Sequence, residues 1–178
     1  MNNYVQKYNE LIQDFGDTLK NTSLDIANTC YMTMNTTAVV NFDNFKRSIA
    51  KKLHLPATPK SCDTLCYENG QFFLIEFKNG KIGKAEIHQI REKIFESLLL
   101  LTEKLNVTID YTRKNLTFIL VYNDSAQGRH KINSHLSQKA KTTCTHFGLT
   151  NFKRIYFNDV FEMNINEFER NFVAIYFP

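Results

Sequence analysis

The amino-acid sequence predicts an α/β domain in which a mixed central sheet is flanked by helices. Apolar residues recur at helical spacing in several segments, and short runs rich in β-forming residues lie between those segments. The chain has 178 residues, of which 43% are hydrophobic and 22% charged, with only 6 glycines and 3 prolines. This size and composition are typical of one globular domain, so we expect residues 1–178 to fold as a single unit.

Composition also excludes several classes of protein. No apolar run approaches the roughly 20 residues that cross a bilayer. The first residues lack the basic and apolar regions of a secretory signal, which favours a cytoplasmic location. The four cysteines do not form a dense disulfide framework, and the single Cys62-x3-Cys66 element has no second Cys or His pair nearby to complete a zinc site.

Two helices are expected in the first third of the chain. The first spans residues 3–15 and ends at Gly16, because apolar side chains recur there at intervals of three and four residues. The second begins at Asp43, whose side chain can cap it, and ends before Pro56. Residues 23–42 show no clean period and carry no prediction. The apolar stripes of the two helices are Tyr4, Tyr8, Leu11, Ile12 and Phe15, and Phe45, Ile49 and Leu53.

A β-hairpin is predicted over residues 62–80. Two β-rich runs are joined there by Asn69-Gly70, the dipeptide that two-residue hairpin turns prefer. A two-residue turn fixes the register of the strands, and this register places Asp63 directly opposite Glu76. Lys78 follows two residues later and therefore shares the strand face of Glu76, while Ile75 and Phe77 point the other way into a core.

The opposed carboxylates of Asp63 and Glu76 suggest a metal site. Directly opposed residues in an antiparallel pair have Cβ atoms about 4.5 to 5.5 Å apart, and like charges at that spacing are destabilising. A divalent cation is the natural compensation. One strand face would then carry two acids and Lys78.

The remainder of the chain predicts alternating helices and strands. A long helix over residues 84–104 has an apolar stripe, and it forms the crossover to a strand at 116–122. That strand is a run of apolar residues, so we expect it to be central and buried on both faces. The stripe is Ile87, Ile90, Ile94, Leu98 and Leu101. Further elements are expected as a helix at 129–147, a strand at 154–157, a short helix at 166–170 and an edge strand at 173–177.

Asp63, a gap of twelve residues, and then Glu76-Phe77-Lys78 resemble the motif of the PD-(D/E)XK, or restriction-endonuclease-like, superfamily of metal-dependent nucleases. The proline that often precedes the Asp is missing, since Cys62 stands there. The resemblance covers about residues 43–123 and implies an α-β-β-β-α-β restriction-endonuclease-like core within the mixed sheet.

The resemblance also implies a mechanism. Asp63 and Glu76, with a backbone carbonyl near Phe77, would hold Mg²⁺ or Mn²⁺. Lys78 would orient the attacking water or stabilise charge that develops on the phosphate, and the products would be a 5′-phosphate and a 3′-hydroxyl. Glu10, Gln89 and Lys93 resemble accessory residues of some members, although each also fits an ordinary solvated helix face.

The charge distribution is consistent with a nucleic-acid partner. The formal net charge is +4, and residues 44–62 and 125–158 contain basic but no acidic residues. Such stretches suit a polyanion, with DNA favoured over RNA, although a solvated face without function is the alternative. The candidate nucleic-acid-binding residues are Lys51, Lys52, Arg129, Lys131, Lys139 and Lys141.

Two other functions remain open. The chain could be a catalytically inactive nucleic-acid-binding or scaffold module of the same fold. It could also be a cap-snatching-type RNA endonuclease, which would want a histidine such as His54 beside the metal. Because a chain this short has little room for a separate recognition domain, a homodimer or a partner subunit is plausible with each of these functions.

Overall fold

The computed structural model describes residues 3–130 and 146–177. These residues form a mixed α/β fold in which a six-stranded mixed sheet is flanked by helices. The strands are β1 (Gly16–Thr18), β2 (Leu24–Asp25), β3 (Cys30–Tyr31), β4 (Ala38–Asn41), β5 (Thr64–Glu68), β6 (Gln71–Lys78), β7 (Leu116–Tyr122) and β8 (Asp159–Asn164).

Most of the α-helices that the structure describes lie in the first two thirds of the chain. After β8 the chain is again helical, with an α-helical turn, a π-helical turn and a last α-helical turn at Ile165–Phe168, Glu169–Val173 and Ala174–Tyr176. Short 3₁₀ helices span Asp124–His130 and Leu149–Phe152. The earlier α-helices are α1 (Asn3–Phe15), α2 (Leu19–Thr22), α3 (Phe42–Lys52), α4 (Lys84–Leu105) and α5 (Ile109–Asn115).

The sheet has the strand order β1-β4-β5-β6-β7-β8. Neighbours from β1 to β6 are antiparallel, whereas β6, β7 and β8 are parallel to one another. Helix α4 begins the crossover from β6 to β7, so the carboxyl ends of these two strands lie at the same edge. Strands β2 and β3 form a separate hairpin.

Two apolar cores cover the two faces of the sheet. Alternate residues of β6 divide between them. Leu74 belongs to the first core, under α1, α3 and α4, and Ile75 and Phe77 belong to the second core, under the C-terminal helical segment. Glu76 therefore shares the face of Leu74 and points toward the helices that begin the chain and cross over the sheet.

Several predictions from the sequence are confirmed. Helices occur over 3–15 and 84–105, and the hairpin turn lies at Asn69-Gly70, where both residues have the positive φ that a type I′ turn requires. The register of β5 and β6 is the expected one from Glu68–Gln71 to Thr64–Ile75. Strand β7 is buried along its whole length between two parallel neighbours.

Other predictions are wrong. Asn41 caps α3 and accepts from Asn44 N–H at 3.0 Å, whereas Asp43 lies in the first turn. Residues 154–157 form a turn, because Arg154 has a positive φ and its N–H donates to the carbonyl of Phe157 at 2.7 Å; the strand is β8, which follows. The expected edge strand at 173–177 is helical, since its apolar residues continue the helical segment into the core.

Three further segments of the chain remain to be compared with the sequence predictions. The helix expected at 166–170 is present, within a longer helical stretch. Residues 23–42, which carry no prediction from the sequence, hold the β2–β3 hairpin and β4. The helix expected at 129–147 falls largely on residues 131–145, outside the described residues. Among the helices that the structure describes, none combines the length and apolarity needed to cross a membrane.

Candidate functional site

Asp63 is held between two strands at the point where the hairpin ladder ends. The last pair of β5 and β6 is Thr64–Ile75, and Asp63 is the next residue toward Glu76. Its N–H donates to the carbonyl of Ile75 at 3.1 Å, and its carbonyl accepts from Phe42 N–H at 3.0 Å. Its carboxylate Oδ2 accepts from Phe77 N–H at 2.7 Å. These bonds fix the Asp63 carboxylate beside the residue that follows Glu76.

Glu76 is a buried acid with one unsatisfied oxygen. The residue is only 1% exposed, and its neighbours on this strand face are the apolar Leu74 before it and Lys78 after it. Its Oε1 accepts from Lys93 Nζ at 2.6 Å, whereas Oε2 is buried and has no hydrogen-bond partner in the described part of the chain. A buried polar atom without a partner costs about 1 to 3 kcal/mol, so this oxygen is a candidate ligand atom.

Lys93 connects the two acids. It lies on α4 between Ile90 and Ile94, the residues that pack the helix on the sheet, so its side chain reaches under the helix. Its Nζ is 2.6 Å from Oε1 of Glu76 and 3.5 Å from Oδ1 of Asp63. One turn later Ser97 Oγ accepts from the Cys62 N–H at 2.8 Å, which ties α4 to the residue before Asp63.

The pKa values of this triad reflect one positive and two negative groups. Burial and the Asp63 charge raise the pKa of Glu76 to about 8, although Lys93 opposes this shift. Burial also raises the pKa of Asp63, against the effects of Lys93 and the Phe77 N–H. Burial lowers the pKa of Lys93, but the two carboxylates outweigh it and raise that pKa above its usual value. When all three groups are charged, one negative charge therefore remains uncompensated.

The donor set fits a hard divalent cation. In the described ranges, no three His, Cys, Asp or Glu residues are grouped so that they could hold a metal. Mg²⁺ is commonly held by only one or two carboxylates and retains several waters, so a larger group is not needed. Asp63 and Glu76 provide two carboxylates, and the buried Oε2 of Glu76 has no hydrogen-bond partner among the described residues. The pair therefore fits Mg²⁺ or Mn²⁺.

Lys78 lies at the end of β6, on the open side of the same site. Its side chain is half-buried and lines a cavity of about 670 Å³ together with Asp63. Its positive charge acts to lower the pKa of Glu76, although burial dominates that pKa. Within the described residues Lys78 forms no ion pair, so its ammonium is available to an anion in the cavity.

Asp43 is a third acid near the site that the sequence did not reveal. It accepts from Ser61 Oγ at 2.8 Å and pairs with Lys46 at 2.5 Å, and its charge contributes to the raised pKa of Asp63. We expected this residue to cap α3. No sequence signal places it beside Asp63, because its position depends on β4, the strand paired with β5, whose segment shows no clean period.

The accessory candidates fall in different places. Lys93 lies at the centre of the site, whereas Gln89 is exposed on α4 and Glu10 is exposed on α1, 3.7 Å from Lys104. His54 is exposed just beyond the far end of α3, roughly 16 Å from Asp43 at the helical rise of 1.5 Å per residue. The structure does not bring His54 to the carboxylates.

The candidate nucleic-acid-binding residues are only partly described. Lys51 and Lys52 are exposed in the last turn of α3. Arg129 lies in the 3₁₀ helix Asp124–His130, and Lys131, Lys139 and Lys141 lie outside the described residues.

Comparisons with known proteins identify no relative. No protein-family model, no curated protein and no solved structure matches this chain.

Proposed function

We propose that this chain is a metal-dependent nuclease that hydrolyses phosphodiester bonds, with DNA as the expected substrate. The observation that supports this proposal is the close arrangement of Asp63, Glu76 and Lys93, in which Oε2 of the buried Glu76 has no partner among the described residues. Two acids that share one ammonium retain a negative charge that a cation can neutralise.

The order of the elements adds support. Three antiparallel strands, β4, β5 and β6, are followed by α4, by α5 and then by β7, which is parallel to β6. This order is similar to the α-β-β-β-α-β core of the restriction-endonuclease-like superfamily if α1 is its first helix and the elements from β1 to β3, α3 and α5 are insertions. The similarity would then begin at α1, before the expected range of 43–123. Asp63 and Glu76 occupy the hairpin that carries the acids in that core.

Asp63 and Glu76 are the residues that would hold Mg²⁺ or Mn²⁺. When bound, such a metal neutralises charge on a phosphate and lowers the pKa of a coordinated water. The Phe77 N–H fixes the orientation of the Asp63 carboxylate through its 2.7 Å hydrogen bond. The apolar core around Glu76 excludes water from the inner side of the site, so that its electrostatic interactions are strong there.

The two lysines have different roles in this proposal. Lys93 contacts both carboxylates, so it positions them and balances part of their charge. Lys78 lies on the cavity side without an ion pair in the described chain, so it is the lysine that can contact the phosphate of a substrate. Lys78 would stabilise the negative charge that develops there during hydrolysis.

The proposal is tested by incubating the purified protein with supercoiled DNA and with RNA in Mg²⁺, Mn²⁺ or EDTA. Cleavage should require the metal and should be lost in Asp63→Asn and Glu76→Gln, which keep the size of each side chain. Glu103→Gln, an exposed glutamate on the outer side of α4, is the matched control and should cleave normally. Equal cleavage by all four proteins would mean that these acids are not the catalytic site.

An inactive nucleic-acid-binding module is the second candidate, and one observation favours it. The Lys93 ammonium already compensates much of the charge of Asp63 and Glu76 without a metal. This function predicts that the protein binds DNA but that calorimetric titration with Mn²⁺ shows no binding that depends on the two acids. The nuclease predicts Mn²⁺ binding that is lost in the Asp63→Asn, Glu76→Gln double variant.

A further inference from the structure

The cavity beside Asp63 has walls from three separate parts of the chain. It has a volume of about 670 Å³ and lies at the carboxyl end of β6. The β2–β3 hairpin contributes Ile26 and Asn28, the residues after β6 include Lys81, and the first turns of α3 contribute Arg47. Ligands of open α/β sheets commonly bind outside the carboxyl ends of the strands, which is where this cavity lies.

A chain of hydrogen bonds holds the hairpin wall against the sheet. Asn123, just beyond β7, donates from Nδ2 to Oδ1 of Asn79, just beyond β6, at 2.7 Å. Asn79 donates in turn from Nδ2 to Oδ2 of Asp25 at 2.9 Å, and Asn28 donates to the same carboxylate oxygen at 2.6 Å. These side-chain amides therefore join the hairpin wall of the cavity to the carboxyl ends of β6 and β7.

The basic residues of the cavity are better placed for an anion than its acids are for a cation. In the part of the chain described by the structure, Arg47, Lys78 and Lys81 form no ion pairs, although all three line the cavity. Four acids also line the cavity, and each already accepts hydrogen bonds within the chain. Asp25 accepts from two asparagine amides and Asp43 from Lys46 and Ser61, while Asp63 accepts from the Phe77 N–H and Glu86 from the Gly83 N–H. A phosphate group in the cavity would find three cations in the cavity lining.

The rim of the cavity carries a large apolar side chain that belongs to neither core of the sheet. Ile26 is 82% exposed at the turn between β2 and β3 and lines the cavity. A large apolar side chain held in solvent, beside a cavity whose three basic residues form no ion pairs in the described chain, suits a ligand that has both a phosphate and a flat apolar surface. A nucleotide has both, since apolar side chains pack against bases that have left the stack.

We propose that this cavity takes one unpaired nucleotide of a DNA strand, so that the nuclease acts on single-stranded DNA or on unpaired ends. This inference rests on the proposed function. A volume of about 670 Å³ lies within the roughly 300 to 1,000 Å³ range of pockets that hold one small ligand, so it admits one nucleotide but not a stacked base pair with its neighbours. The phosphate would lie toward Lys78 and Asp63, and the base would pack on Ile26.

Fluorescence anisotropy in EDTA measures this preference without catalysis. The assay compares one labelled oligonucleotide as a free single strand with the same oligonucleotide annealed as a blunt duplex. The single strand should bind at least about tenfold more tightly, because it alone offers an unpaired base for packing. Ile26→Ala should weaken single-strand binding about fivefold or more, a loss of about 1 kcal/mol by the usual conversion. Met34→Ala, which removes a 66% exposed side chain outside the cavity lining, is the matched control and should bind normally.

Cleavage of the same two oligonucleotides in Mn²⁺ then separates two kinds of failure. Equal binding of single strand and duplex, or equal effects of the Ile26 and Met34 substitutions, would overturn the inference while leaving a metal-dependent nuclease intact. Absence of any cleavage, with the binding preference and the Ile26 effect retained, would overturn the proposed nuclease and support the cavity as a binding site for an unpaired nucleotide.

Discussion

The Lys93 ammonium lies 2.6 Å from Oε1 of Glu76, a carboxylate buried in the first core of the sheet. The same ammonium is 3.5 Å from Oδ1 of Asp63, so a single cation serves two acids. Burial of an incompletely neutralised cluster is unfavourable for the fold, and proteins retain such clusters mainly where function needs them. Below about pH 8 a proton on Glu76 relieves this charge, and a bound divalent cation would take the place of that proton.

Removal of the central cation should destabilise the metal-free protein. Lys93→Met keeps most of the side-chain volume but leaves two neighbouring acids without their ammonium. We expect a loss of about 3 kcal/mol in the free energy of unfolding, at the lower end of the range for breaking a buried pair, measured by urea denaturation in EDTA.

Lys104→Met is the matched control for this experiment. Lys104 is on the same helix and is similarly exposed, but it is 3.7 Å from Glu10, whose side chain is 48% exposed, so its loss should change stability by less than about 1 kcal/mol. Mn²⁺ should restore part of the stability of Lys93→Met. Equal losses of unfolding free energy in the two variants would mean that Lys93 stabilises the fold no more than an exposed lysine does.

Glu76 should make stability depend on pH in the metal-free protein. Its pKa is about 8 in the folded chain against an ordinary value of 4.5, so the folded state binds a proton that the unfolded state has lost between these pH values. Stability therefore falls as the pH rises through this window. Glu76→Gln cannot titrate, so its stability relative to the wild type should increase from pH 5 to pH 8, as measured by denaturant unfolding across about that pH range.

The comparison of Glu76→Gln with Glu103→Gln isolates this effect. Glu103 is exposed, so its substitution should give a difference from the wild type that changes little with pH. A Glu76→Gln difference that is equally flat would show that the buried carboxylate keeps an ordinary pKa.

Lys78 should affect turnover more than metal binding. Lys78→Ala removes a charge on the cavity side but leaves both carboxylates and Lys93, so Mn²⁺ affinity should be unchanged or higher. Loss of one group that stabilises developing charge typically slows turnover by about 10² to 10³-fold, which single-turnover cleavage measures. Lys84→Ala, an exposed lysine at the start of α4 outside the cavity lining, should cleave at the wild-type rate. Equal rates for the two variants, or loss of Mn²⁺ binding in Lys78→Ala, would remove Lys78 from the mechanism.

The hairpin and its acids could be predicted because local sequence determines them. Asn69-Gly70 fixes the turn, the turn fixes the register, and the alternation of side chains along β6 then separates Glu76 from Phe77. The apolar period of the long helix α4 likewise determines which residues face the sheet. Lys93 is one of the accessory candidates on that helix.

The role of Lys93 and the cavity depend on tertiary packing and could not be predicted in the same way. Nothing in the local sequence of α4 specifies that Lys93 reaches Asp63, because that contact depends on how the helix crosses the sheet. The β2–β3 hairpin has strands of only two residues, which are too short for a recognisable period. The short apolar run at 173–177 is consistent with either a strand or a helix, and its packing in the second core selects the helix.

Binding of nucleic acid should depend strongly on salt, and Lys51 should contribute to that dependence. Lys51 is exposed at the end of α3, and a lysine that contacts a phosphate releases counterions when it binds. Lys51→Ala should lower affinity for single-stranded DNA at low salt and reduce the slope of log K against log salt by about 0.7, the value for one phosphate contact on a single strand. Fluorescence anisotropy over a series of salt concentrations gives both quantities.

Lys114→Ala removes the same charge from α5, where the lysine pairs with Asp110, so it is a charge-matched control that should keep the wild-type slope. If Lys51→Ala and Lys114→Ala have the same slope, the basic residues of α3 form a solvated face and the DNA contacts lie elsewhere.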